Sequence, residues 1–233
     1  MPRQSLPDRR SFVVTILRGF ALVVAGGVAT LIDACTPSGA GSGGQSASRT
    51  TTTGVDPVTV APDNSIDGAQ AVDAKRWTLR VSGLVSRPLT LTYPELLAHT
   101  PKVTRTERLS CVEGFTATYV RQGIRLGDLL AEAGVHPSAK VVIFRCHDGY
   151  SSSLSLSDAQ RSDVLLVHHE NGQPLIALRG FPLELSAPAK WGYKWAKWIE
   201  RIEVSADSTF RGYWESRGYS RTGDLDKPFI GMP

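Results

Sequence analysis

Arg108-Leu109-Ser110-Cys111-Val112-Glu113-Gly114-Phe115 is the stretch on which the reading of the chain turns. The residues leading into it, Val103 to Leu109, alternate apolar and polar, which predicts a strand. That strand hands Cys111 to the mouth of a glycine-containing loop. A thiol placed where a strand gives way to a loop projects from a rigid scaffold towards a pocket, which suits a metal ligand or a nucleophile. A structural reading competes, because free cysteines are among the most buried residues and those of exported proteins usually pair. Cys146 also follows a predicted strand, so a Cys111–Cys146 disulfide stays open at this point.

Working outward, Trp77 to Val85 alternates with period two and stops at the turn Ser86-Arg87-Pro88. Leu89 to Leu91 is a short strand, and Thr92 caps a helix running through Ala98 with Pro94 in its first turn. After the cysteine loop the next predicted element is an amphipathic helix, Ile124 to Ala133, closed by Gly134. Lys140 to Arg145 is a near-continuous apolar run, as expected of a strand buried on both faces, and Cys146 to Tyr150 is the turn leaving it. Ser151 to Leu156 alternates as a strand, and a short helix begins at Ser157. Val164 to Val167 is a further buried run, followed by the turn signal Asn171-Gly172. Leu183 to Leu185 leads into a loop rich in proline and tryptophan, and Ile199 to Val204 is the last strand. Short strands mixed with two or three short helices predict an α+β fold with mixed β-sheets, not a doubly wound one.

The 233 residues are 41% hydrophobic and 21% charged, enough apolar material for a proper core, with a formal charge of only +4. No basic run resembles a nucleic-acid arm, so no nucleic-acid partner is expected. Three cysteines do not make a disulfide framework for a chain this long. Cys111, Cys146, His147, His168 and His169 lack the spacing of a zinc site, and the His168-His169 pair is expected at a strand end, partly solvated.

Arg9-Arg10-Ser11-Phe12-Val13, followed by a mildly apolar stretch to Ile32, resembles a twin-arginine export signal over residues 1–34. Ile32-Asp33-Ala34-Cys35 looks like a lipoprotein cleavage box, with Cys35 the lipidated residue, although Asp33 departs from the usual pattern. Residues 35–75 then form a Gly/Ser/Thr-rich tether and an irregular lead-in. The expected location is the periplasm or the outer face of the cytoplasmic membrane, held there by a lipid or, alternatively, by an uncleaved anchor. The folded domain is expected over residues 76–210, with a C-terminal extension, 211–233, packed on it.

Pro188 to Ile199 interleaves three lysines with three tryptophans and a tyrosine. Aromatic packing under solvated lysines is one reading; a loop offering cations and backbone donors to a flat, phosphate-bearing heteroaromatic ligand is the other.

Taken together, Trp77 to Tyr93, Ser110 to Gly114, Cys146 to Tyr150, Pro188 to Ile202 and Gly212 to Tyr219 resemble the sulfite-oxidase-fold molybdopterin oxidoreductases, in particular the branch of bacterial periplasmic methionine-sulfoxide reductases. The resemblance implies a sulfite-oxidase-like molybdopterin-binding fold and a molybdenum–molybdopterin cofactor. It implies that Cys111 gives molybdenum its single protein thiolate and is the catalytic residue, a soft ligand for a soft metal. Trp195, Ala196 and Lys197 align with the loop that holds the pterin phosphate, and Cys146 falls where the reductases have a threonine touching the cofactor. Arg179 stands where they have an asparagine, and Glu184 where they have a phosphate-binding arginine, so Arg179 is expected to take over the phosphate. The family's cofactor segment before the first strand has no clear match in Val55 to Arg76. The implied activity is oxygen-atom transfer on a small substrate, first of all sulfoxide reduction, with electrons from a membrane haem or quinone-linked partner. Sulfite-type oxidation with a soluble cytochrome acceptor, or a cofactor-free binding lipoprotein with a Cys111–Cys146 disulfide, are the alternatives.

Overall fold

The computed structural model describes residues 64–231. The export signal and Cys35 lie outside the described residues. Among the described residues, ten strands form two five-stranded sheets, accompanied by three short α-helices.

The first sheet carries the core. Its strands, β1 (Thr78–Gly83), β2 (Leu89–Thr92), β5 (Val141–Cys146), β6 (Ser151–Ser155) and β10 (Ile199–Ser205), lie in the order β2-β1-β10-β5-β6. Only the β1–β10 pair is parallel, so the sheet is mixed. β5 reads as a continuous apolar run because it is an interior strand, and Val142 and Phe144 are fully buried. They pack with Leu79, Ile202 and Val204 of the neighbouring strands and with Leu126, Leu129 and Leu130 of α2 (Leu126–Ala133). Each such side chain contributes about 1.5–3 kcal/mol by leaving water. Helix α1 (Tyr93–Ala98) is fixed by a capping box: the Thr92 hydroxyl accepts from Glu95 N, and Thr92 N donates to Glu95 Oε2 at 2.8 Å. Helix α3 (Leu156–Ala159) follows β6 directly.

The second sheet carries Cys111. It runs β3-β4-β7-β8, with β9 (Glu184–Ser186) pairing β7 as well. β3 (Lys102–Ser110) and β4 (Thr116–Arg125) form a long hairpin in unbroken register from Lys102↔Ile124 to Ser110↔Thr116. β7 (Leu165–Glu170) turns into β8 (Gln173–Pro174) through Asn171 and Gly172, both at positive φ, as that dipeptide predicted.

Two expectations are corrected. Ile124 belongs to β4, not to the helix, which starts at Leu126, and the ten residues of β4 went unpredicted. Their inward face alternates Ala117, Tyr119 and Arg121, and a buried arginine breaks the apolar pattern that signals a strand. His169 is partly exposed near the end of β7, but His168 is 1% exposed rather than partly solvated, and its Nδ1 meets His169 Nδ1 at 2.6 Å. Among the described residues no helix is long and apolar enough to cross a membrane.

Candidate active site

Cys111 is the first residue of the β3–β4 hairpin loop. Its N–H donates to Phe115 O (2.9 Å) and its carbonyl accepts from Gly114 N (3.1 Å), closing a five-residue loop whose shape fixes the thiol. The side chain opens on a cavity of about 310 Å³, within the size range of small-molecule sites. Cys111 and Cys146 are both free thiols, so the disulfide alternative has no bond here.

Burial pushes the Cys111 thiol up, and the Glu113 charge adds to this. Hydrogen bonds from the loop backbone and from Asn64 Nδ2, 3.3 Å from the sulfur, act the other way. A free nucleophile needs the opposite environment, electropositive and partly exposed. A metal ligand does not, since a bound cation deprotonates a coordinating thiol outright.

Of the residues expected to bind the cofactor, Arg179, Trp195 and Lys197 share the cavity wall with Cys111. Lys197 lies over the Trp198 ring (4.5 Å), and its Nζ donates to Leu178 O. The short turn Ala177–Arg179 docks beside it: Trp198 Nε1 donates to Ala177 O (2.8 Å), and Trp198 N to Gly180 O. Trp198 has φ 54°, a conformation costing a bulky residue roughly 1–3 kcal/mol, and such strain persists only where the surroundings impose it. Cys146 and Ala196 do not reach the cavity wall. Cys146 is the last residue of β5 and its side chain joins the main apolar core, where burial pushes its thiol well up. Ala196 is fully buried and meets its neighbours through its carbonyl, which accepts from Leu185 N.

Glu184 lines the cavity, but its charge is engaged by Arg121, which is 1% exposed and makes an ion pair with it. Arg121 also faces Glu170 (3.3 Å) and stacks over Tyr119 (4.4 Å), and Arg179 approaches Glu170 from the other side (3.9 Å). The Glu184 carboxylate on β9 is thus paired with an arginine of β4, reached across the intervening strand β7.

Several wall residues were missed in the sequence. Asn64, Ser65 and Ile66 line the cavity, correcting the reading of this segment as lead-in alone; no periodicity marks it, and only its side-chain chemistry could have. Tyr119 and Arg121 come from the unpredicted strand β4. Asp148 and Tyr150 were not missed: they belong to the Cys146 to Tyr150 stretch singled out above, and they enter the wall from the turn after β5. Burial pushes the Asp148 carboxyl up, and the Tyr150 hydroxyl donates to Tyr193 O. Trp214 and Tyr219 complete the wall from the C-terminal segment.

A group with a flat ring system and an anionic end fits this cavity. Its walls include aromatic rings (Trp195, Trp198, Tyr193), three cationic side chains (Arg121, Arg179, Lys197) line it, and a soft donor atom stands at one side.

Comparison with known proteins agrees. A family profile described as "Oxidoreductase molybdopterin binding domain" matches residues 67–214. The uncharacterized oxidoreductase YuiH of Bacillus subtilis is 34% identical over 153 residues, covering 65% of this chain and 76% of that one. A protein of Azospira oryzae named for a protein-methionine-sulfoxide reductase subunit, YedZ1, is 38% identical over 157 residues, 67% of this chain and 59% of that protein. The crystal structure of the sulfane dehydrogenase SoxCD from Paracoccus pantotrophus superposes with a TM-score of 0.58 at 26% identity, over 66% of this chain and 43% of that one. With this fold, this cavity and these relatives, the chain belongs to the molybdopterin-binding oxidoreductases of the sulfite oxidase family.

Proposed function

We propose that the enzyme holds molybdopterin in this cavity with molybdenum bound to the Cys111 sulfur, and that it reduces a sulfoxide. The observation that carries the reading is the position of the thiol, which opens on an aromatic cavity bordered by Lys197 and Arg179. The bound cofactor supplies the two-electron redox change at the metal. The chain's own residues do the rest. Trp195 and Trp198 wall the ring system and exclude water, while Lys197 and Arg179 offer their charges to the phosphate. Asn64 holds the sulfur in place through its 3.3 Å hydrogen bond. Asp148, with its carboxyl pushed up by burial, is the wall residue suited to hold a proton. Reduction breaks the S–O bond, consumes two electrons and two protons, and releases a thioether and water.

The electrons come from a membrane haem or quinone-linked partner. The twin-arginine segment and Cys35 support an exported, lipid-tethered protein facing such a partner. A second reading, oxidation of a sulfur substrate with a soluble cytochrome as acceptor, is supported by the likeness to the sulfane dehydrogenase. A dye assay separates the two. With reduced viologen as donor the enzyme is expected to reduce sulfoxides; turnover only with sulfite and an oxidised acceptor would reverse the assignment.

A further inference from the structure

The family profile ends at Trp214, yet the cavity does not: Tyr219 lines it from beyond that point. The segment carrying both residues is fastened from beneath. Tyr213 N donates to Ser151 O (2.8 Å). Gly212 lies so close that a Cβ there would sit 2.3 Å from the same oxygen. Glu215 Oε1 accepts from Lys194 Nζ and from Ser152 Oγ, and the Glu215 and Lys194 side chains are 0% exposed. On this footing the Trp214 and Tyr219 rings meet tilted at 5.0 Å, and Tyr219 meets Tyr193 edge-on at 5.2 Å. Gly192, next to Tyr193, lies against the backbone of Cys111. Tyr219 is therefore one aromatic ring away from the cysteine loop.

Charge points the same way. Glu113 and Asp148 both line the cavity, while Arg121 and Arg179 face Glu184 and Glu170. An oxyanion substrate would meet the Glu113 carboxylate, with Arg121 engaged by Glu184 and with Lys197 and Arg179 given to the phosphate. A neutral, dipolar substrate with an apolar substituent would meet aromatic faces, which sulfur groups contact favourably.

We propose that Trp214 and Tyr219 are the specificity-determining wall of the enzyme, receiving the apolar S-substituent of a neutral sulfoxide. This rests on the sulfoxide-reductase reading of the cavity. The wall makes methyl phenyl sulfoxide a better substrate than dimethyl sulfoxide and excludes sulfite and nitrate.

The test uses the molybdenum-loaded full chain, with Trp214→Ala, Tyr219→Ala, and Trp214→Phe as the conservative control. If Trp214→Ala does not accumulate as folded protein, Trp214→Leu replaces it. For methyl phenyl sulfoxide each truncation is expected to raise KM roughly five- to tenfold, the worth of an aromatic contact, with kcat within about threefold. Trp214→Phe restores most of the loss, and molybdenum content is unchanged. Calorimetric binding of methyl phenyl sulfone, which is not turned over in the assay, weakens by the same factor. Loaded wild-type enzyme that reduces no sulfoxide removes the functional reading and this inference with it. Wild-type enzyme that reduces the aryl and dimethyl compounds equally well overturns the wall alone, as do truncations that lower kcat while leaving KM and sulfone binding unchanged.

Discussion

Glu215→Ala tests how the C-terminal segment is held on the domain. Glu215 and Lys194 are both fully buried, so the substitution leaves the Lys194 ammonium with only the Arg221 carbonyl at 2.9 Å. Removing one partner of a buried pair costs about 3–5 kcal/mol, because the other charge stays uncompensated. Ser152 loses its acceptor as well, about 1 kcal/mol more. For a domain of this size each kcal/mol moves Tm by roughly 2–4 °C, so a fall on the order of 10 °C or more is expected. Urea unfolding of the single variant and of Lys194→Met/Glu215→Leu gives the comparison. The double variant is expected to recover at least half of the loss, since burying two apolar groups in place of an ion pair is often neutral or better. A single variant that loses less than about 1 kcal/mol would refute the reasoning, because that is what a solvent-exposed pair is worth.

Two other outcomes follow from the same geometry. Gly180→Ala is expected to destabilise the domain by about 1–3 kcal/mol, since residue 180 has φ 87° and a Cβ there would lie 2.9 Å from Lys197 Cβ; purified variant protein should also carry less pterin by fluorescence after oxidative release. His168 has its pKa lowered to about 4 by burial, with His169 and Lys102 adding to it, so the folded state keeps it neutral where the unfolded chain protonates it. Stability should therefore fall as pH drops from about 6.5 towards 4, by about 3 kcal/mol at most, and then level off; His168→Gln should flatten that part of a urea-midpoint profile against pH.

Much of this architecture is legible in the residues because local patterns agree with the global fold. The β5 run, the Thr92 cap and the Asn171-Gly172 turn each carry their own signal, and each stands where that signal put it. β4 was illegible because its inward positions include Tyr119 and Arg121, whose burial depends on Glu184 and Glu170 from distant parts of the chain. The same long-range pairing gives Glu184 a cationic partner that the local sequence does not show. Cys111 could be singled out by its place at a strand end, but Asn64, 47 residues upstream, reaches its sulfur only through the fold. Cys146 misled for a related reason: a cysteine at a strand end points to a cavity or to the core according to strand register, which short runs do not fix.

The central claim is that the Cys111 sulfur binds a metal inside a pterin-filled cavity. Elemental analysis of wild-type and Cys111→Ser protein, each produced with the amino-terminal segment intact, tests it most directly. The account predicts molybdenum near one per chain in the wild type and a loss of most of it in Cys111→Ser, with the fold retained by circular dichroism. Wild-type protein that holds no molybdenum, or a serine variant that keeps all of it, would contradict the account.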